Sequence, residues 1–136
     1  MKYFLAKTEP GTYSIDDLER DHRTTWDGVT NAQAVRAIRE MRPGDRVFIY
    51  HSGGASEVVG IAQVESQPHD DPKNPKSAVV DLEFAGRLSP SVKLAEIKQS
   101  KLFDDWALVR QGRLSTMAAP EKFVEWIRKR YPGSTI

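Results

Sequence analysis

The segment from Trp26 to Ala34 carries side chains of the kind that hold a planar heterocycle. Trp26 precedes a glycine-containing turn, so its indole is either a stacking platform for a base or a part of the core. Asn31 suits the N-cap of a helix, and its amide can equally pair with the edge of a base. We therefore interpret the segment first as a binding pocket and only second as a catalytic site.

A second candidate group, Tyr50-His51-Ser52, ends an apolar strand. Side chains alternate along a strand, so only one of its two faces can line a pocket directly. The alternative is that Tyr50 is a core residue and His51 a surface residue. We predict no metal site, because the three histidines of the chain lack the spacing of metal ligands.

Lys7-Thr8-Glu9 places an amine, a hydroxyl and a carboxylate at a strand end, which are the groups of a nucleophile with its base. Neighbouring strand residues point in opposite directions, so an ion pair or exposure to solvent is the competing interpretation. The segment from Arg110 to Ser115 is either a turn with solvated arginines or an arginine fork aimed at a phosphate or a base edge.

Composition limits the kinds of partner that we expect. With 20 basic and 19 acidic residues the net charge is +1, so a broad grip on duplex phosphates is not expected and any nucleic-acid contact must be local. The chain has no cysteine, which excludes disulfides and thiolate metal sites and agrees with a cytoplasmic location. The apolar runs are too short for a membrane span, so we expect no membrane partner.

The elements that would position these residues form one α+β domain over residues 1–136, around a curved or closed β-sheet. We predict an antiparallel hairpin of two apolar strands, a polar irregular stretch at 21–25 and a loop at 68–77. The remaining predictions are strands at 3–7 and 78–84, helices at 14–20, 31–41 and 94–98, a strand or turn at 106–109, and a terminal helix from Pro120 with Phe123, Ile127 and Tyr131 facing inward.

Several motifs in order along the chain resemble the EVE domain, a branch of the PUA-like superfamily that also contains the YTH and ASCH domains. The matching motifs are Lys7-Thr8-Glu9-Pro10 with Tyr13-Ser14-Ile15, Trp26-Asp27-Gly28-Val29 with Asn31 and Gln33-Ala34, Gly44-Asp45 through Ser52, Val59-Gly60-Ile61-Ala62 with Val64, Leu108-Val109-Arg110-Gln111, and Arg113-Leu114-Ser115. The resemblance implies a PUA-like curved β-barrel with short peripheral helices. It also implies a role in recognising nucleic acid through a modified base held in a pocket. Because the residues form no coherent catalytic triad, we predict a non-catalytic module without a cofactor that binds DNA or RNA.

Carried over residue by residue, the resemblance implies a pocket formed by Lys7, Thr8, Trp26, Val29, Asn31, Tyr50, His51, Ser52, Arg113 and Ser115. We predict phosphate contacts from Arg36 and Arg110. Two alternatives stay open. One is a small amidohydrolase acting on a modified nucleoside, by analogy with some ASCH domains, in which Lys7, Thr8 and Glu9 would be catalytic. The other is a protein-interaction module. The oligomeric state is not predicted.

Overall fold

The computed structural model describes residues 1–134 and 136, which form a curved, open β-sheet surrounded by short helices. The strands are β1 (Tyr3–Thr8), β2 (Arg23–Trp26), β3 (Arg46–His51), β4 (Glu57–Val64), β5 (His69–Asp71), β6 (Asn74–Lys93) and β7 (Thr116–Ala118). The helices are α1 (Ile15–Asp21), α2 (Ala32–Glu40), α3 (Leu94–Ser100), α4 (Ala107–Arg110) and α5 (Glu121–Arg130). The predicted α+β class is confirmed, and the sheet is curved but not closed.

The strand order is β2-β6-β4-β3-β1-β7, and β5 pairs with β6 outside this path. β1 and β3 are parallel, whereas every other pair among the described strands is antiparallel. The hairpin of β3 and β4 was predicted and is present. β2 and β7 are the two ends of the path, and α2 contacts both β6 and β7. The helix therefore lies across the opening of the sheet.

Aromatic and aliphatic side chains fill the space between the sheet and the helices. Three phenylalanines are almost completely buried: Phe48 on β3, Phe103 between α3 and α4, and Phe123 on α5. The Phe123 ring contacts the other two rings edge-on. Gly60 lets α1 approach β4, because a Cβ at this position would stand 2.5 Å from the Ile15 Cδ1 and 2.8 Å from the Gly86 carbonyl oxygen. This close approach fixes α1, which precedes Trp26 in the sequence, against the sheet.

Some predictions of local structure were wrong. The stretch 21–25 is not irregular, because β2 pairs with β6 through an Arg23–Glu83 ion pair and a Thr25–Asp81 hydrogen bond. The predicted loop at 68–77 contains β5 and the start of β6, and β6 continues well past residue 84. Residues 107–110 form a helical turn, which agrees with the turn alternative for 106–109 and not with the strand, and the short strand β7 was missed. Tyr131 follows the end of α5 and is only partly buried.

Two helix starts were predicted correctly because their signals are local. Ser14 caps α1 in a capping box with Asp17, and Asn31 caps α2. No helix within residues 1–134 is long and apolar enough to cross a membrane.

Candidate functional site

A cavity of about 500 Å³ lies where the end of β1 faces β2 across the opening of the sheet. Three strands separate β1 from β2 in the sheet order, so it is the curvature of the sheet that makes them opposite walls of one cavity. The turn between β2 and α2 and the segment 113–115 complete the lining. This size is within the range of small-molecule sites, about 300–1,000 Å³.

The indole of Trp26 belongs to the core and to the cavity wall at once. The residue is 9% exposed and packs in the main hydrophobic cluster, and it also lines the cavity. The ring of Tyr13, which lines the cavity too, meets this indole edge-on, with 6.4 Å between ring centroids and planes at 86°. The two interpretations of Trp26 are therefore compatible, and packing holds its ring in a fixed orientation.

The turn that leads from Trp26 into α2 is held by two sets of hydrogen bonds. Gly28 adopts a φ of +79°, a conformation that favours glycine, and the buried Ser77 hydroxyl donates to the Val29 carbonyl oxygen. The Asn31 Oδ1 accepts the N–H groups of the second and third residues of α2, at 2.9 and 3.1 Å. Because capping uses this oxygen, the Asn31 amide nitrogen is the group that remains to donate to a ligand.

Lys7 fastens the segment 112–115 to β1. Its backbone N–H donates to the Ser115 carbonyl oxygen at 2.8 Å, and its Nζ donates to the Gly112 carbonyl oxygen at 2.9 Å. The ammonium also lies 5.4 Å from the centroid of the Tyr50 ring. Burial lowers the pKa of Lys7 from its usual value. The cavity therefore has a partly desolvated cationic donor at its wall, and two N–H groups of the ammonium remain for a ligand.

Tyr50, His51 and Ser52 do not line this cavity. Parallel pairing sets Lys7 beside Tyr50 and Thr8 beside His51, so the end of β3 lies behind the end of β1. Tyr50 is 2% exposed, and the Ser52 N–H donates to the Thr8 carbonyl oxygen. The three residues support the wall instead of forming it.

His51 connects β3 to the start of α1. Its Nε2 accepts the Ile15 N–H at 3.0 Å, which requires this nitrogen to be unprotonated. Burial lowers the pKa of His51, and the carboxylates of Glu57 and Asp16 oppose that shift while Arg87 adds to it. The neutral imidazole thus holds α1 in register with the cavity wall.

The geometry does not assemble Lys7, Thr8 and Glu9 into one reactive group. Lys7 and Thr8 line the cavity but Glu9 does not, and the Glu9 carbonyl oxygen accepts the N–H groups of Thr12 and Tyr13 in a turn. The Thr8 hydroxyl donates to the Tyr13 carbonyl oxygen at 2.8 Å, so its hydrogen is directed at no base. Within the described residues, no three histidine or carboxylate side chains cluster closely enough to hold a metal ion.

Of the arginines expected at the site, only Arg113 lines the cavity. Arg36 lies in a neighbouring groove, and Arg110 is the last residue of α4. Sequence reasoning missed several lining residues because it treated the stretch before Trp26 as irregular and gave Tyr13 no role within its motif. The additional lining residues are Thr12, Tyr13, Thr24, Thr25, Asp27, Gly28 and Thr30.

Comparison with known proteins gives a consistent result. The model of the EVE domain family matches residues 2–130. Thymocyte nuclear protein 1 of Rattus norvegicus is 32% identical over an alignment that covers 71% of this chain and 55% of that protein. The chain thus spans about half the length of this relative.

Among solved structures, protein Rpa0253 of Rhodopseudomonas palustris is similar, with a TM-score of 0.88, 32% identity, and coverage of 95% of this chain and 92% of that one. The human THYN1 protein in complex with DNA containing 5-methylcytosine shares the fold, with a TM-score of 0.86, 23% identity, and coverage of 98% and 99%. A more distant fold similarity connects the chain to an ASCH protein of Zymomonas mobilis, with a TM-score of 0.55, 10% identity, and coverage of 95% and 98%.

Proposed function

This chain belongs to the EVE domain family, and on that premise we propose that it binds nucleic acid and holds a modified base in the cavity between β1 and β2, without catalysing a reaction on it. The observation that carries the proposal is the open cavity in which the indole of Trp26 and the ring of Tyr13 meet edge-on. Stacking on an aromatic side chain contributes about 1–3 kcal/mol per base.

Hydrogen bonds within the wall determine which groups remain for the ligand. The hydroxyls of Thr8 and Thr25 already donate to protein oxygens, and the Asn31 Oδ1 is used in capping. The groups that keep N–H donors are the amide of Asn31, the ammonium of Lys7 and the guanidinium of Arg113. A base that offers acceptors along its pairing edge, as cytosine does through O2 and N3, complements this set.

We propose 5-methylcytosine as the first modification to test. The human relative was solved with DNA that contains this base. In this chain, five threonines line the cavity, namely Thr8, Thr12, Thr24, Thr25 and Thr30. Their methyl groups offer apolar contact for a methyl on the ring, since a pyrimidine methyl is read by such contacts in other sites.

A protein with a net charge of +1 should bind a base that is already accessible more readily than a base that is paired within a duplex. Few phosphates would be neutralised, so affinity should depend only weakly on salt. Extruding a base from a duplex costs a few kcal/mol, and a single strand avoids this cost. We therefore expect single-stranded DNA or RNA with a modified cytosine to bind more tightly than the matched duplex.

The test is a fluorescence-polarisation titration with a short labelled single strand that contains one 5-methylcytosine. Tyr13→Ala should weaken binding by about fivefold or more if stacking contributes its usual 1–3 kcal/mol, and Trp26→Phe, which keeps a smaller aromatic ring, should weaken binding less. The matched control is Trp126→Phe, because Trp126 lies on α5 and outside the cavity. If both cavity variants are folded and bind as tightly as the parent, the proposal is wrong.

A further inference from the structure

A groove of about 290 Å³ runs between α2 and β7, beside the cavity. Its α2 side is formed by Gln33, Arg36, Ala37 and Glu40, which are spaced as one face of a helix. Its other side includes Thr116, whose fully buried hydroxyl oxygen has no hydrogen-bond partner among the described residues. The groove thus has a mixed lining, in which Gln33, Arg36, Glu40 and Thr116 are the polar residues.

The segment 113–116 is a ridge shared by the cavity and the groove. Arg113 and Ser115 line the cavity, whereas Leu114 and Thr116 line the groove. Arg113 belongs to the turn that the Leu114 N–H closes with the Gln111 carbonyl oxygen, and from there the side chains alternate between the two depressions up to the start of β7. A nucleic-acid strand that leaves the cavity across this ridge enters the groove directly.

Within the described part of the chain, three arginines near the ridge have no carboxylate partner. Among the described residues, Arg36, Arg110 and Arg113 make neither an ion pair nor a side-chain hydrogen bond. By contrast, a carboxylate neutralises each of Arg20, Arg23, Arg39, Arg87, Arg128 and Arg130. Arg42 donates to the backbone carbonyl oxygens of Arg39 and Met41, and the Nε of Arg46 is buried without a partner among the described residues. Three guanidinium groups without a partner in the described residues are thus found together, at the cavity, at the groove and on α4, the helix whose Ala107 lines the groove, and the exposed ones can bind an external anion.

We propose that the groove between α2 and β7 is a subsite for one nucleotide adjacent to the bound base, with the connecting phosphate lying over the ridge between Arg113 and Arg36. This inference rests on the proposed function. Glu40 lies one helical turn beyond Arg36 on the same face, so the positive charge is confined to the end of the groove next to the cavity. A second phosphate would approach that carboxylate, which limits the subsite to a single nucleotide.

The experiment compares three ligands by calorimetry: the nucleoside 5-methyldeoxycytidine, and two dinucleotides in which a thymidine follows or precedes it. A subsite on one side of the base accepts only one of these neighbours, so the parent should bind one dinucleotide more tightly than the other. Arg36→Ala should weaken that dinucleotide about tenfold and leave the nucleoside unchanged. Arg36→Glu should weaken it further. Both changes are at an exposed helix position, and alanine favours the helix.

Lys129→Ala is the control, because it removes one exposed positive charge from α5, which lines neither depression. The subsite is refuted if the parent prefers neither dinucleotide, if Arg36→Ala leaves the preferred one unchanged, or if Lys129→Ala weakens it equally. Equal weakening of nucleoside and dinucleotide by Arg36→Ala also refutes it, since Arg36 would then act on the cavity. If the parent binds none of the three ligands, the proposed function itself fails, and the subsite with it.

Discussion

Substitution of Asn31 separates the stability of α2 from recognition of the base. Asn31→Asp keeps an oxygen that can accept the two N–H groups now bonded at 2.9 and 3.1 Å, but it removes the amide donor. Asn31→Ala removes both functions. If the side chain caps the helix and also contacts the ligand, the two variants should therefore differ in stability while both lose affinity.

The expected magnitudes follow from these contacts. Loss of an N-cap costs about 1 kcal/mol, so Asn31→Ala should lower Tm by about 4 °C in a domain of this size. The first turn of α2 contains no acidic residue, so a carboxylate at position 31 meets the positive end of the helix without competition. Asn31→Asp should thus be as stable as the parent, yet bind the 5-methylcytosine strand about tenfold more weakly, because one donor is lost.

Thermal unfolding followed by circular dichroism measures the first effect, and polarisation titration measures the second. Undiminished affinity in Asn31→Asp would show that Asn31 is a cap and nothing more. A drop in Tm for Asn31→Asp that equals the drop for Asn31→Ala would instead contradict the capping geometry.

Three further predictions concern the surroundings of the cavity. The folded protein holds the pKa of His51 below 6.5, so the unfolded chain binds the proton at a higher pH than the folded protein does. Tm should therefore fall as the pH drops below 6.5, and His51→Gln should make Tm depend less on pH. Gly60→Ala should cost about 1–3 kcal/mol in urea unfolding, because the added methyl meets the Gly86 carbonyl oxygen at 2.8 Å, and Ile15→Val should not restore the loss. Incubation with an N4-acylated cytidine, followed by chromatography, should show no release of the acyl group above background, since Glu9 is outside the cavity. Release of the acyl group that Lys7→Ala abolishes would establish the amidohydrolase alternative.

The parts of the fold that the sequence predicts are those whose signals lie within a few residues. Ser14 with Asp17, and Asn31 before an apolar helical repeat, specify where two helices begin. The apolar runs of β3 and β4 specify a hairpin in the same way. These elements form because local hydrogen bonds and side-chain periodicity already agree with the tertiary structure.

The strands that were missed are polar, short or both. β2 reads Arg-Thr-Thr-Trp, and its pairing depends on Glu83 and Asp81, which lie 60 and 56 residues away. β7 is three residues long and pairs with β1 across most of the chain. Such strands gain their stability from cross-strand contacts, which no window of neighbouring residues contains.

The candidate site was predicted in part for the same reason. The local motifs identify Trp26 and Asn31 as candidate site residues. Whether the ring of Tyr50 or that of Tyr13 faces the cavity depends instead on the order of the strands in the sheet. Lys7 reaches the cavity beside Gly112, a contact between residues 105 positions apart. Alternation along β3 divides its side chains between two faces, yet the parallel pairing with β1 decides that the end of β3 lies behind the wall.

The cavity lies beside an open edge of the sheet. β2 ends the strand path and pairs only with β6, so its other edge has no neighbouring strand among the described residues. Unpaired backbone groups at an edge remain available to hydrogen-bond a partner, and a planar base placed beside β2 can use them. Backbone donors and acceptors survive substitution by any residue other than proline. Replacement of Thr24 by valine should therefore weaken binding less than replacement of Trp26, whose ring no backbone group can substitute.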